Sequence, residues 1–339
     1  MILVTGATGL VGGHLLVKLV KENYSIRALY RTETKKEQTR KVFLYYFPNE
    51  EGEELFNTID WVNCTINDIP ALTEVFEGIT HVYHCAAKIS FNPSDYKELR
   101  KTNIEGTANI VNLCLLNNIE KFCYVSSIAT LGESSFNSPV DESTEWNPET
   151  PNSVYAITKY GAEIEVWRGI HEGLNAVIVN PGIIIGPGYF DSGSGYLFKR
   201  IHEGMNYFTT GITGYVAIKD VITIMHQLMN GPYNNQRYIL IGENISYKNV
   251  FCKIATALNK PIPKKKVSPL LMKVAYYIQH IGHTFFRTKQ SIFKSSIRGA
   301  FLITYYDNNK IKKELTYSFI PIEKSIKETA HYFLAKSQK

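Results

Sequence analysis

An α/β chain built on a doubly wound parallel sheet, with a smaller C-terminal substrate lobe, is what this sequence predicts. Three observations predict it. Short, nearly continuous apolar segments alternate with longer amphipathic ones through the first half, as buried parallel strands alternate with covering helices. A glycine-rich turn stands between the first strand and the first helix. Near Pro181 the alternation gives way to clustered glycines and prolines: Gly182, Gly186, Pro187, Gly188, Gly193 and Gly195.

The elements follow in order. Strands are expected at Met1 to Thr5, Ser25 to Tyr30, Ile59 to Cys64, His81 to Cys85, Lys121 to Ser126 and Ala176 to Asn180. Helices fit between them at Leu10 to Glu22, Ala71 to Glu77, Tyr96 to Asn117 and Ser153 to His171. Thr34 to Phe47 is charged, then aromatic, and is expected as an extra helix on the sheet edge. Residues 1–181 then form the dinucleotide-binding domain, to which about 206–242 return, and 182–339 form mainly the smaller lobe. Lys260 to Lys266 reads as a linker and Pro269 to Phe286 as a helix.

Composition narrows the classes. At 44% hydrophobic and 20% charged residues the chain is that of an ordinary folded protein. It has no run of eighteen uncharged apolar residues, so a spanning helix is not expected. Met1 opens a strand directly, which leaves no room for a leader, and a cytoplasmic location is expected. Cys64, Cys85, Cys114, Cys123 and Cys252 form no CxxC pair, so reduced thiols are expected rather than a metal or redox site. From Lys260 onward sixteen Lys or Arg face four acids, against twenty-one and twenty-seven before it. A solvated basic face is the expectation there, with no nucleic-acid partner.

Thr5-Gly6-Ala7-Thr8-Gly9-Leu10-Val11-Gly12 closes the first strand and opens the first helix. Gly6 permits the tight turn, Gly9 admits a pyrophosphate to the backbone, and Gly12 lets helix pack on strand, as in a Rossmann site. The end of the second strand chooses the cofactor. An acid there favours NAD, whereas this chain has Arg31, with Lys35 and Lys36 beyond. A guanidinium suits a 2′-phosphate, so NADP(H) is expected, with NAD the alternative.

Tyr155 and Lys159 stand four residues apart in Tyr-Ala-Ile-Thr-Lys, on one face of a helix. A fixed ammonium near a phenol stabilises phenolate, and lowering its pKa by about three units takes roughly 4 kcal/mol. Tyr155 then carries the proton while hydride moves, and Lys159 also holds the nicotinamide ribose. Upstream, Tyr124-Val125-Ser126-Ser127 ends a buried strand where ligands of open sheets sit. Ser127 is the expected donor to a substrate carbonyl, with Ser126 and Thr130 as alternatives. His84-Cys85-Ala86-Ala87 ends the fourth strand with small residues that leave room for a ribose. The Asn103 amide, in the next helix, could hold a water that relays protons past Lys159, although a lone mid-helix asparagine reads more readily as a surface residue.

The segments TGATGLVGG, HCAA, TNIEGT, YVSS, YAITK and NPGIIIGPG together resemble the extended short-chain dehydrogenase/reductase family, the NAD-dependent epimerase/dehydratases. The resemblance covers about residues 1 to 190. It implies Ser127, Tyr155 and Lys159 as a catalytic triad with Asn103 as fourth member, and Asn180 and Pro181 beside the nicotinamide carboxamide. It also implies a homodimer paired through the helices Tyr96 to Asn117 and Ser153 to His171. Gly214 to Val221 and Tyr306 to Lys310 are similar to the branch of dihydroflavonol reductases and 3β-hydroxysteroid dehydrogenases. The acid often found after the third strand is here Thr65, followed by Ile66, so the adenine contacts depart from the pattern. Thr130-Leu131-Gly132 and Thr213-Gly214 replace residues usual in sugar-nucleotide enzymes.

Substrate is expected among Lys88 to Phe91, Leu131 to Phe136, Ile183 to Phe198 and part of Leu270 to Phe286. Phe91, Phe136, Tyr189, Phe190, Tyr196 and Phe198 make that set aromatic, which favours a hydrophobic or ring-bearing ketone or secondary alcohol. The alternative is an epimerase or dehydratase that retains NAD and acts on a nucleotide sugar. Leu270 to Phe286 is expected to pack as a lid, because Met272, Ala275, Tyr276 and Gln279 do not form a clean stripe; a membrane-surface helix is the lesser alternative.

Overall fold

The computed structural model describes residues 1–47, 50–133, 138–286 and 292–337. Its main sheet has seven strands, all parallel: β1 (Ile2–Thr5), β2 (Ile26–Tyr30), β3 (Asp60–Asn63), β4 (His81–His84), β5 (Lys121–Val125), β6 (Ala176–Pro181) and β10 (Gln236–Leu240). Across the sheet they run β10-β6-β5-β4-β1-β2-β3. Strand β1 pairs with β2 on one side and β4 on the other, so the order reverses there. A crevice opens at such a reversal, beyond the carboxyl ends of the strands, and ligands of open sheets bind in it.

Burial follows strand position. All residues of β1, β5 and β6 are buried, whereas both end residues of β3, at the sheet edge, are exposed. One face of the sheet is covered by α1 (Leu10–Lys21) and the helices Glu33–Tyr46 and Ile218–Asn230; the residues of this layer include Leu15, Phe43 and Met225. The helices Ile69–Val75, Gly106–Leu116 and Val154–His171 supply Leu72, Ile110 and Ala162 to the core on the opposite face. Side chains mark the helix starts: Thr32, Asp68 and Ser153 accept from the backbone N–H three residues on.

The expected strands and helices lie within a residue or two of those observed. A further helix, Glu50–Asn57, follows the edge helix, and Arg40 on the edge helix binds Glu53 across the pair, Nε to Oε2 at 2.7 Å. The helix expected from Tyr96 to Asn117 is wound as a π-helix over Arg100–Glu105 between α-helical Tyr96–Leu99 and Gly106–Leu116. π-Turns inside helices are rare and cluster at functional sites.

Beyond Pro181 the chain leaves the main sheet and returns to it once, as β10. The second sheet comprises β7 (Ile183–Ile185), β9 (Ile212–Ala217) and β11 (Glu243–Ser246), in the order β11-β9-β7. A small ladder pairs β8 (Tyr207–Phe208) with β12 (Lys265–Lys266). The core of this lobe holds Phe190, Phe198, Phe251, Ile326 and Phe333. Asp220, buried at the start of Ile218–Asn230, ties the C-terminal segment down: it accepts from the Tyr317 hydroxyl at 2.8 Å and the Ile320 N–H at 3.1 Å. Burial pushes its carboxyl up to about 6, partly offset by those two donors.

Helix Pro269–Phe286 starts on Ser268, whose hydroxyl accepts from the Leu271 N–H at 3.2 Å. Among the described residues no helix is long and apolar enough to cross a membrane.

Candidate active site

Strand β1 ends in a turn that only glycine fits. Gly6 has φ +65, and a Cβ there would stand 2.5 Å from the Ala86 nitrogen at the end of β4. A Cβ on Gly12 would meet the Gly6 carbonyl oxygen at 2.3 Å, so helix and turn touch backbone to backbone. Gly9 is the N-cap of α1 and brings no side-chain cap, and the first turn of the helix carries no acid. Thr8, Leu10 and Val11 are half-buried around it and Gly9 itself is exposed. The opening N–H groups of α1 thus point from an uncapped, electropositive helix end at the sheet's reversal. This cradle fits the pyrophosphate of a dinucleotide, and the residues present would hold it through backbone N–H groups.

The end of β4 is wired to the same turn. The Cys85 N–H donates to the Thr5 carbonyl at 3.2 Å, and the Ala86 N–H reaches the Thr5 hydroxyl at 3.4 Å. Ala86 is half-buried and Ala87 exposed. His84, wholly buried, bridges Thr5 (2.6 Å to Nδ1) and Thr107 (2.9 Å to Nε2) and stacks on Tyr124 with ring centroids 5.6 Å apart. Burial first, then the Lys159 charge, hold His84 down at about 3. Burial likewise pushes the Cys85 thiol up to about 12, against the pull of Lys159.

Helix Val154–His171 carries Tyr155, Lys159 and Glu163 at four-residue spacing, on one face. The Ser127 side chain lies close enough to the Tyr155 phenol to oppose the rise in its pKa, and the Phe91 ring meets the Tyr155 ring edge-on at 5.7 Å. Ser127 itself opens the short turn Ile128–Thr130, accepting from the Ala129 N–H at 3.1 Å. Lys159 is 2% exposed and sends its amine to the Tyr124 hydroxyl (2.7 Å) and the Val125 carbonyl (2.8 Å). Burial brings this amine down to about 7, partly offset by Glu163 and Cys85.

Two expectations are corrected here. The phenol of Tyr155 is raised above its ordinary range, not lowered: burial dominates, and the nearby Ser127 side chain only partly offsets it. Lys159 directs its protons at β5, so the chain alone holds Tyr155 as a neutral phenol. Asn103 does not offer its amide to a water. Its Oδ1 accepts from the Lys88 N–H at 2.7 Å, and its Nδ2 donates to the Lys88 carbonyl (3.0 Å) and the Thr158 hydroxyl (3.1 Å). Buried in the π-turn, it staples the loop after β4 to helix Val154–His171.

Glu163 is the residue that sequence reading missed. Only 1% exposed, it accepts from the Ser126 hydroxyl (2.5 Å), the Thr130 hydroxyl (2.7 Å) and Asn180 Nδ2 (2.9 Å), all at Oε2. Its Oε1 takes Arg237 of β10 at 3.2 Å and Trp167 at 3.3 Å. One carboxylate therefore ties the turn around Ser127 to β6 and β10. The signal was present: Glu163 repeats the spacing that joins Tyr155 to Lys159. Ser126 and Thr130, the alternatives to Ser127, point back at this carboxylate. Asn180 spends its amide nitrogen there too, while its Oδ1 is buried with no protein partner. Pro181 is buried in register with Leu240.

The end of β2 differs. Arg31 is exposed, as is Lys35, whose amine reaches Gln38 at 3.4 Å. Lys36 lies over the Tyr30 and Trp61 rings at 4.9 and 5.7 Å. An acid does follow Arg31 closely: Glu33, 3.9 Å from Lys36. After β3, Thr65 is exposed; Ile66 buries its side chain near Gly106 and gives its carbonyl to Asn109 at 3.1 Å.

The expected aromatic lining divides. Phe91 and Tyr196, each 44% exposed, are open, and Phe91 touches Tyr155. Tyr189, Phe190 and Phe198 are buried; Phe190 packs on Phe333 at 4.8 Å and Tyr189 bonds Thr39 at 3.1 Å. The glycine-rich turns fold these three into the cores instead. Phe136 lies outside the described residues.

Comparison with known proteins agrees with this geometry. A model of the NAD dependent epimerase/dehydratase family matches residues 2–242. A putative dihydroflavonol 4-reductase of Synechocystis sp. is 27% identical over 97% of this chain and 93% of its own length. Sterol demethylase protein B of Methylococcus capsulatus is 24% identical over 80% of this chain and 78% of its own. The crystal structure of gox2253 shares the fold, with TM-score 0.81 at 24% identity, covering 100% of this chain and 99% of that one. The chain belongs to the NAD-dependent epimerase/dehydratase family, among the extended short-chain dehydrogenases/reductases, and is by type an NAD(P)-dependent oxidoreductase.

Proposed function

We propose that this chain is an NADP(H)-dependent reductase or dehydrogenase of a ketone or secondary alcohol on a hydrophobic, ring-bearing small molecule. The Tyr155 phenol beside Ser127, with the Phe91 ring against it, carries the reading. Burial keeps Tyr155 protonated at neutral pH, which makes it a proton donor in waiting. Ser127 would donate to the substrate oxygen, and Tyr155 would give its proton to that oxygen as negative charge develops. The bound nicotinamide supplies or accepts the hydride. Lys159, fixed by Tyr124 and Val125, would hold the nicotinamide ribose; Gly6, Thr8, Gly9, Leu10, Val11 and Gly12 would hold the pyrophosphate. Thr65 and Ile66 would flank the adenine, Cys85, Ala86 and Ala87 the riboses, and Asn180 and Pro181 the carboxamide; the unpartnered Asn180 Oδ1 is an acceptor suited to an amide N–H.

The preference for NADP(H) rests on Arg31 and Lys35, two exposed cations at the end of β2. The hydrophobic substrate class rests on Phe91 and Tyr196, and the reductase names of relatives agree with it. A retained-NAD epimerase or dehydratase is the rival, favoured by the family's own description. A panel of ketones and alcohols, followed by cofactor absorbance with NADPH and NADH side by side, tests all three points. Net NADPH consumption is expected; no net turnover of either cofactor would favour the rival, and a preference for NADH above about tenfold would overturn the reading of Arg31.

The same proposal divides the chain into 1–181, with about 206–242 returning, and 182–339, and sets it to work in the cytoplasm as a homodimer. Ile157 and Ile164, exposed one heptad apart on the catalytic helix, support a paired interface there.

A further inference from the structure

Helix Pro269–Phe286 turns its most apolar residues away from the protein. Leu270, Leu271, Val274, Tyr277, Ile278 and Ile281 are 72, 52, 46, 57, 66 and 54% exposed. At 3.6 residues per turn they occupy one stripe about 120° wide. Met272, Ala275, Tyr276 and Gln279 are half-buried and face inward, and Gln279 accepts from the Ile292 N–H at 3.1 Å. These four are the inward complement of the stripe. A helix of a water-borne protein ordinarily presents the opposite arrangement.

Charge identifies what covers the stripe. Between Lys260 and Tyr306 the sequence has nine Lys or Arg and no Asp or Glu. Lys264, Lys265 and Lys266, immediately before the helix, are exposed, as is Lys273 beside the stripe. A second copy of the chain would bring the same cations against these, which opposes self-association through this face. An anionic bilayer offers the complement to both features at once: acyl chains for the stripe and headgroup charge for the lysines. No described helix is apolar enough to span, so the helix would lie in the interface.

We propose that helix Pro269–Phe286 docks the protein on an anionic lipid surface, with Leu271, Val274, Ile278 and Ile281 among the acyl chains and Lys264 to Lys266 among the headgroups. The docking is independent of the catalytic reading. Co-sedimentation of the full chain tests it, using phosphatidylcholine vesicles with and without phosphatidylglycerol at near-physiological salt. The protein should pellet with the phosphatidylglycerol vesicles and stay in solution with phosphatidylcholine alone. The double variant Leu271→Glu, Ile278→Glu changes only exposed positions and should lower the bound fraction at least about tenfold. Lys264→Gln, Lys265→Gln, Lys266→Gln together should lower it by about tenfold or more and flatten its salt dependence. Wild-type protein left in the supernatant, or undiminished binding by the double glutamate variant, overturns the proposal. So does a lipid-free oligomer that the glutamate variant dissolves, which would give the stripe to a second copy.

Discussion

Two strand ends face the same crevice and are built in opposite ways. At the end of β5 buried polar groups are bound to one another: Lys159 to Tyr124 and Val125, and Ser126, Thr130 and Asn180 to Glu163. At the end of β2, Arg31 and Lys35 stand exposed. The first arrangement fixes geometry, because an unpaired buried group costs about twice what a typical hydrogen bond contributes in net stability. The second leaves its charges screened and adaptable. Packing thus fixes the groups after β5, while those after β2 are left to side chains that little constrains.

Removing the proposed proton donor should produce the largest effect. Tyr155→Phe keeps the ring against Phe91 and is expected to lower kcat by about 10²–10⁴ with cofactor affinity little changed; unaltered turnover would end the catalytic reading. Next comes Glu163. Glu163→Ala leaves the Ser126 and Thr130 hydroxyls and the Asn180 amide without their buried acceptor, beside a half-buried Arg237, and should cost about 3 kcal/mol of stability in urea unfolding. Glu163→Gln retains the shape and should cost less, with a lowered kcat if the carboxylate positions Ser127. An effect of neither kind would mean that the two strand ends are equally loose.

Acid provides a third comparison. His84 and His14, both buried, are held by burial at about 3 and about 4. Above their unfolded pKa near 6.5 both states are neutral and no stability is at stake. Below it the unfolded chain takes up protons that the folded chain refuses, so stability falls as pH drops toward 4, by up to about 2.7 kcal/mol per pH unit for the two together. Urea midpoints between pH 7 and 5 measure this, and His14→Gln should remove about half of the slope. Arg31→Ala is expected to act least: NADPH binding weakens about tenfold and NADH binding stays constant. Equal loss for both cofactors would assign Arg31 to something other than the 2′-phosphate.

The pair of strand ends also marks how far the sequence could be read. Glycines 6, 9 and 12, the Tyr155–Lys159 spacing and the serines after β5 were legible because each is local: a turn, one helical face, one strand end. Glu163 shared that helical face, yet its importance depends on Arg237, seventy-four residues away. The Asn103 amide was read as free because its partners, Lys88 and Thr158, are brought to it by a π-turn. Tyr189, Phe190 and Phe198 were read as lining because composition alone does not distinguish a cleft from a core.

By itself the sequence determined the alternation of strands and helices, the dinucleotide turn and the residues able to move a proton, since backbone preference and side-chain chemistry act within a few residues. The tertiary structure alone decided which of those groups are charged and which way a helix faces. Burial raised Tyr155 and lowered Lys159, and packing turned Leu271 and Ile278 outward. Desolvation depends on every neighbour, and neighbours are assigned by the fold.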